Sequence, residues 1–177
     1  MVRMALILGI AAALALAPSM ALADLEIGKK PPTITLKGSK GGKVDGSSFS
    51  TKDIKGKVYT VFYVDPDEKT VNDHVSSALK KENFDLAKYG SIAVINMDAT
   101  WLPNAAIESS LKEKQIQYPN TIYVKDMDKA FVDKWGVEDD NNNIIVFDKM
   151  GSVIFFKYGK LRKKEVATMI AAIKANL

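Results

Sequence analysis

The sequence VFYVDPDEKTVNDH, residues 61–74, decides how this chain folds. It contains the end of a run over 57–64 that is rich in β-branched and aromatic residues and predicts a strand buried on both faces. An acidic turn at Pro66 follows, and apolar residues at helical spacing then predict a helix over 70–82 with Thr70 as its N-cap. A buried strand that leads directly into a helix indicates the start of a βαβ unit, in which the sheet is parallel.

The remainder of the chain continues this alternation of strands and helices. Buried or alternating runs predict strands, and apolar residues spaced three and four apart predict helices. The order ends in a hairpin and a helix whose apolar stripe runs from Val166 to Leu177. We therefore predict an α/β fold, a three-layer sandwich with a central mixed sheet and helices on both faces. The further predicted strands span 33–36, 91–96, 118–126, 144–147 and 153–156, and the further helices span 104–114 and 128–135.

Residues 1–23 have the pattern of a secretory signal peptide. Arg3 provides the positive start, apolar and small residues fill 4–17, and small residues precede a cleavage position after Ala23. The apolar run is shorter than the ~20 residues that a stable membrane span needs. We expect cleavage after Ala23, a single domain over 24–177, and an exported protein that keeps no stable membrane anchor.

The composition excludes several classes of function. Removing Arg3 with the signal peptide leaves 24 basic and 21 acidic residues, a net charge of +3 that is too small to indicate nucleic-acid binding. The chain has no cysteine, so it has neither disulfides nor thiol chemistry. His74 is the only histidine, so no histidine cluster for a metal or a catalytic triad can form. We expect no cofactor.

Several stretches resemble exported peroxiredoxins and thiol-disulfide proteins of the thioredoxin-like fold. These stretches are LEIGKKPPTITLK at 25–37, DIKGKVYTVFYV at 53–64, SLKEKQIQYPNTIYVKDMDKAFVDKWGV at 110–137 and IIVFDKMGSVIFFKYGKL at 144–161. A closer resemblance is to the YtfJ family of periplasmic proteins, which have this fold and no established activity. It rests on INMDATWLPNAAIESSLKEKQIQYP at 95–119, VDKWGVEDDNNNIIVFDKMGSVIFFKYGKL at 132–161 and EVATMI at 165–170. The resemblance implies a periplasmic location.

The same resemblance shows which redox elements are missing. The loop that carries Cys-x-x-Cys in the redox relatives reads DPDEKT at 65–70, and Asp73 stands where a peroxiredoxin would have its thiol. A carboxylate cannot form the mixed disulfide that thiol exchange requires. The relatives also have a cis-proline before the strand at 144–147, where this chain reads DDNNN at 139–143. We therefore predict that the protein is neither a thiol-disulfide oxidoreductase nor a peroxidase.

Acidic side chains follow the strands that the resemblance places side by side, so we expect them to share one edge of the sheet. They are candidates for partner binding together with Trp101, which is either an exposed anchor or a half-buried cover for the sheet. A subset offers oxygen ligands for a divalent cation such as Ca²⁺, although the spacing matches no known calcium loop and favours solvated turn residues. The partner-binding candidates are Asp65, Asp67, Glu68, Trp101, Asp139 and Asp140, and the possible metal ligands are Asp65, Asp98, Asp139 and Asp140.

A second candidate surface lies at the start of the last helix. Positive charge there opposes the helix dipole, which either marks a surface for an anionic partner or is a solvated face. Its members are Lys160, Arg162, Lys163 and Lys164, and we call them the basic cluster. The sequence favours a module that binds an unidentified periplasmic protein or peptide. The alternatives are a cation-binding protein, or an enzyme that uses the carboxylates at the shared edge of the sheet as acid and base.

Overall fold

The computed structural model describes residues 24–177, and the predicted signal peptide lies outside the described residues. Eight strands and four helices alternate much as the sequence predicts. The strands are β1 (Thr35–Leu36), β2 (Gly41–Lys43), β3 (Phe49–Ser50), β4 (Val58–Val64), β5 (Tyr89–Asn96), β6 (Thr121–Asp126), β7 (Asn142–Phe147) and β8 (Val153–Lys157). The helices are α1 (Asp73–Glu82), α2 (Asn104–Gln117), α3 (Ala130–Trp135) and α4 (Lys163–Asn176).

The main sheet has six strands in the order β2-β6-β5-β4-β7-β8. β4, β5 and β6 are parallel, whereas β7 pairs antiparallel with β4 and β8 pairs antiparallel with β7. The carboxyl ends of the three parallel strands therefore meet the first residue of β7 at one edge. We call this the carboxyl edge, and it is marked by Val64, Asn96, Asp126 and Asn142.

Alternating side chains of β4 form two separate cores, because successive residues of a strand point to opposite faces. Val61 and Tyr63 pack with α3 and the N-terminal segment, while Val58 packs with α1 and α4 on the other face. Val64 joins a third cluster with the buried face of α2. Helices therefore cover both faces of a mixed sheet, and the predicted three-layer α/β architecture is confirmed.

The boundaries differ from the predictions at several elements: β5 and β7 begin two residues earlier than predicted, β6 and α3 begin later, and β3 was not predicted. The N-cap of α1 is Asn72, so the prediction of Thr70 was wrong; a 3₁₀ turn at Pro66–Glu68 and the turn after it place the first helical residue later. α2 continues to Gln117 rather than ending at residue 114. β2 was not predicted at all, because its sequence is glycine-rich; the backbone of Gly41 passes so close to Lys125 O that a Cβ would lie 2.0 Å from it.

In residues 24–177, no helix combines the length and the apolar character that crossing a membrane requires.

Trp135 provides a test of the core beneath the sheet. Its side chain is fully buried, stacks edge-on against Phe131 with ring centroids 4.6 Å apart, and donates a hydrogen bond from Nε1 to Pro32 O at 2.7 Å. We expect Trp135→Ala to lower the free energy of unfolding by about 4 kcal/mol, because it leaves a large cavity and an unpaired carbonyl. Urea denaturation measures this loss. The exposed Trp101 is the matched control, and Trp101→Ala is expected to change stability by less than about 0.5 kcal/mol.

Candidate functional site

The sequence DDNNN at 139–143 enters β7 at the carboxyl edge. Asn142 donates from Nδ2 to Glu68 O at 3.1 Å, and Asn143 donates from Nδ2 to Glu138 O at 2.8 Å. Both side chains are buried, and Asn143 Oδ1 has no hydrogen-bond partner among the described residues. Because their amide nitrogens donate to backbone carbonyls, these asparagines fix the loops around the edge.

Asn72 connects three segments that are distant in the sequence. Its Nδ2 donates to Asn142 Oδ1 at 3.1 Å and to Gly159 O at 3.0 Å, and its Oδ1 accepts from Leu161 N at 3.0 Å. His74, the second residue of α1, also contacts this segment, with Nε2 2.8 Å from Leu161 O. The start of α1, the start of β7 and the approach to α4 are therefore held together by side-chain amides.

This connection places the basic cluster at the same end of the sheet as the acidic residues. β8 is antiparallel to β7 and so ends where β4 ends, and α4 follows it directly. All four basic side chains are exposed. From the sequence, the acidic residues of the sheet edge and the basic cluster were separate candidate surfaces. In the structure they are neighbours across the start of α1.

The basic charge at the start of α4 is partly offset by Glu165 at the third helical position. Glu165 Oε2 accepts from Arg162 N at 2.7 Å, and Oε1 pairs with Arg162 Nη2 at 2.8 Å. The hydrogen bonds from Arg162 lower the pKa of Glu165 to about 2. A carboxylate at this position favours the helix dipole, so the opposition between the basic cluster and the dipole is smaller than the sequence predicts.

Asp65 is nearly buried at 4 % exposure, and its position argues against a direct role in binding a partner. Its Oδ1 accepts from Asp67 N at 2.8 Å and caps the 3₁₀ turn after β4. Burial raises the pKa of Asp65, and the nearby carboxylates of Asp67, Asp140 and Glu68 raise it further. The hydrogen bond from Asp67 N lowers the pKa but does not cancel this rise. Asp65 therefore shapes the loop that carries its more exposed acidic neighbours.

An ammonium group occupies the centre of the predicted cation site. Lys129 Nζ lies 2.8 Å from Asp139 Oδ2 and 3.8 Å from Asp98 Oδ2, and Asn96 donates from Nδ2 to Asp139 Oδ1 at 2.8 Å. Burial works to raise the pKa of Asp139, but the bonds from Lys129, the Asp140 backbone and Asn96 together hold it below its usual range. In residues 24–177, no group of three or more histidine, aspartate or glutamate side chains is placed to hold a metal ion. The geometry therefore favours a lysine-bridged acidic pair over a Ca²⁺ site.

Asp126, at the end of β6, is a polar residue of the edge that sequence reasoning missed. It is fully buried and accepts hydrogen bonds from Ala130 N and Phe131 N, both at 3.1 Å, and from the Tyr63 hydroxyl at 3.4 Å. Burial raises its pKa, opposed by these bonds. An acid a few residues before the helix at α3 was the available signal, since such residues cap helix starts. Asp126 holds α3 against the sheet and is closed to solvent.

Trp101 points away from the protein. Its side chain is 86 % exposed in the loop between β5 and α2, so the alternative of a half-buried cover for the sheet was wrong. Asp67, Asp98 and Asp140 are also exposed, and Glu68 and Asp139 are partly exposed. These side chains lie on the loops of the carboxyl edge, where the ammonium of Lys129 pairs with Asp98 and Asp139.

The fold and this edge define a thioredoxin-like protein with no thiol. Two solved structures illustrate the fold: the thioredoxin domain of a thiol-disulfide oxidoreductase from Bacteroides vulgatus (TM-score 0.62, 19 % identity, 87 % of this chain and 100 % of that one) and a thiol peroxidase from Chromobacterium violaceum (TM-score 0.63, 12 % identity, 88 % and 92 %). At these identities, the likeness shows the fold alone.

The chain belongs to the family described as "Bacterial protein of unknown function (YtfJ_HI0045)", whose pattern it matches over residues 32–176. It is 25 % identical to the uncharacterized protein YtfJ of Escherichia coli, over 92 % of this chain and 93 % of that one. An uncharacterized protein of Haemophilus influenzae is 27 % identical over 71 % of this chain and 70 % of its own length. The family predicted from the sequence is therefore confirmed.

Replacing Asp126 tests its structural role. We expect Asp126→Ala to lower the free energy of unfolding by about 3 kcal/mol, because the amides at the start of α3 lose a buried acceptor. Chemical denaturation followed by circular dichroism measures the loss. Asp128→Ala makes the same change at an exposed position two residues away, and its expected effect is below about 0.5 kcal/mol. Equal losses in the two variants would contradict the role of Asp126.

The lowered pKa of Glu165 makes its contribution to stability depend on pH. A carboxyl whose folded pKa is depressed stabilises the protein above its unfolded value of 4.5, and this stabilisation disappears as the pH falls through about 2. We expect Glu165→Gln to lower the melting temperature at neutral pH and to match the parent protein near pH 2. Glu113→Gln, on the exposed side of α2, is the control and should show no such difference. A Glu165→Gln effect that is independent of pH would overturn this explanation.

Proposed function

We propose that this protein is an exported, redox-inactive binding protein of the periplasm that holds a basic segment of another protein or peptide. The proposed contact surface, called here the acidic surface, lies on the loops of the carboxyl edge. Export is supported by the signal-peptide pattern of residues 1–23, and the lack of redox activity by the absence of cysteine from the sequence. The acidic surface consists of Asp67, Glu68, Asp98, Trp101, Asp139 and Asp140.

The exposure of Trp101 is the observation that carries this proposal. A tryptophan that is 86 % exposed leaves most of a large aromatic surface in water, which costs free energy that a partner recovers by covering it. Tryptophan is enriched among the residues that dominate binding energies at protein interfaces. The rest of the carboxyl edge is tightly hydrogen-bonded, so Trp101 is presented on a prepared scaffold, which reduces the ordering cost of binding.

The charges around Trp101 indicate the chemistry of the partner. Asp67, Asp98 and Asp140 are exposed, and Lys129 is the ammonium that contacts carboxylates of this surface, at Asp98 and Asp139. The acidic surface therefore has an excess of negative charge beside an apolar anchor. Such a surface attracts lysine- or arginine-bearing segments and speeds their association in a salt-dependent manner.

Two carboxyls at the carboxyl edge have a raised pKa, but their surroundings do not support acid–base catalysis. Asp65 and Asp126 have the raised pKa values expected of catalytic acids. However, Asp126 is closed to solvent, and both side chains accept backbone hydrogen bonds that hold local structure. Structural networks of this kind also shift pKa values, so the shifts alone give no support for an enzyme.

A capture experiment with matched variants tests the proposal. The protein is immobilised and exposed to a periplasmic extract as the parent, as Trp101→Ala, and as the pair Asp67→Lys and Asp140→Lys. Asp65 is left intact because its replacement would disturb the loop. We expect one or more partners to be retained by the parent, released at increased salt, and reduced at least about tenfold by either change.

Reversal of the basic cluster is the control for this experiment. Lys163→Glu with Lys164→Glu changes the net charge by the same amount at the same end of the protein, but with the opposite sign. It should leave capture intact or strengthen it. A partner that is lost from this control and kept by the Trp101 and aspartate variants would assign binding to the basic cluster and reject the acidic surface.

A further inference from the structure

An open groove lies between α1 and α2 on the face of the sheet opposite α3. It has a volume of about 910 Å³, which is within the range of pockets that hold small molecules. Its floor includes Phe62 and Ala93, from the middle of β4 and β5. Phe84 and Tyr118 bound the end of the groove that lies near the last residues of α1 and α2. None of the six residues of the acidic surface lines the groove, so an inference about it stands whether or not the proposed function is correct.

The packing of the two helices explains why the groove exists. α1 buries Val75 and Leu79 in a cluster with α4, whereas α2 buries Ile107 and Leu111 in a different cluster with the ends of β4, β5 and β6. On this one face of the sheet, α1 is thus drawn toward β7 and α2 toward β6, which leaves a space between them. The strand between them has a small side chain at Ala93, which does not fill the space.

The floor and one end of the groove carry apolar side chains that are not fully covered by the protein. Phe62, Ala93 and Phe84 are only partly buried, and Leu86 and Tyr118 are 50 % and 46 % exposed. Exposed apolar side chains that line a concave site, with a few polar groups among them, are typical of a binding groove. A ligand with an apolar body would remove this surface from water.

Lysines on both helices give the groove its charge. Lys80 is in the last turn of α1 and Lys114 in the last turn of α2, so they border the same end of the groove from opposite sides. Lys69 and Asp73 lie at the other end. None of the three lysines makes an ion pair with another described residue, so their charges remain available to a ligand. Positive charge beside an apolar wall selects a ligand with an anionic group at one end.

From this arrangement, we propose that the groove between α1 and α2 binds a single-chain amphipathic anion of the fatty-acid class. The apolar chain lies over Phe62 and Ala93, where α1 and α2 leave the sheet uncovered. The carboxylate lies between Lys80 and Lys114, at the end of the groove near the last turns of α1 and α2, where it is still in contact with water. Two ammonium groups facing one carboxylate give charge complementarity without burying the ionic head, which would be costly.

Binding of dodecanoate, below the concentration at which it forms micelles, tests the proposal. We expect backbone amide NMR signals of Phe62, Leu79 and Ala93 to shift on titration, and isothermal titration calorimetry to report a saturable site. Lys80→Glu with Lys114→Glu should weaken binding at least about tenfold, since it replaces attraction of the carboxylate by repulsion. Both positions are exposed, so this variant is expected to fold.

Two controls separate the groove from general effects of charge and of hydrophobicity. Lys163→Glu with Lys164→Glu makes the same change of net charge away from the groove and should bind dodecanoate as the parent does. Dodecyltrimethylammonium has the same chain with a cationic head and should bind at least about tenfold more weakly. Ala93→Leu, which fills the floor, should reduce affinity for dodecanoate, provided its amide spectrum shows a folded protein.

The proposal is overturned if dodecanoate does not bind, or if the two charge-reversal variants weaken it equally. It is also overturned if the cationic analogue binds as tightly, or if the shifted amides surround Trp101 instead of the groove. Loss of partner capture by the acidic surface would not affect any of these measurements. The two proposals can therefore fail independently.

Discussion

The amide side chains of Asn72 and Asn142 hold together the segments that meet where β4 ends. Each bonds to the other and also to the backbone of a third segment, through Gly159, Leu161 and Glu68. Buried amides that are left without partners would cost free energy, so the two side chains fix one arrangement of the loops. The acidic surface and the basic cluster take their positions from this arrangement.

The same edge shows which side chains stand where the redox proteins that this chain resembles carry their reactive elements. The redox relatives that this chain resembles keep a cysteine pair after the first central strand and a cis-proline before the antiparallel strand. Here, Asp65 caps the turn after β4, and Asn142 and Asn143 fasten the entry to β7. All three groups satisfy backbone atoms that a loop at this edge would otherwise leave unpaired. The scaffold is preserved while the reactive chemistry is absent.

Two surfaces with different chemistry result from this scaffold. The acidic surface is a set of loops around an exposed tryptophan, and it is suited to a protein or peptide partner. The groove is a concave space over the sheet, bordered by lysines on two helices, and it is suited to a small anionic molecule. None of the six residues of the acidic surface lines the groove, although the groove extends as far as Lys69 and Asn142 at the carboxyl edge.

The sequence by itself determined the order of the central strands and the helices and the absence of a thiol site. These follow from local periodicity and from composition, which do not depend on distant contacts. Only the tertiary structure decided that Lys129 would occupy the predicted cation site, that Asp65 and Asp126 would be buried, and that Trp101 would be exposed. It alone also revealed the groove. These features depend on which residues meet across the sheet, and a charge or an aromatic ring carries no local signal of its distant neighbours.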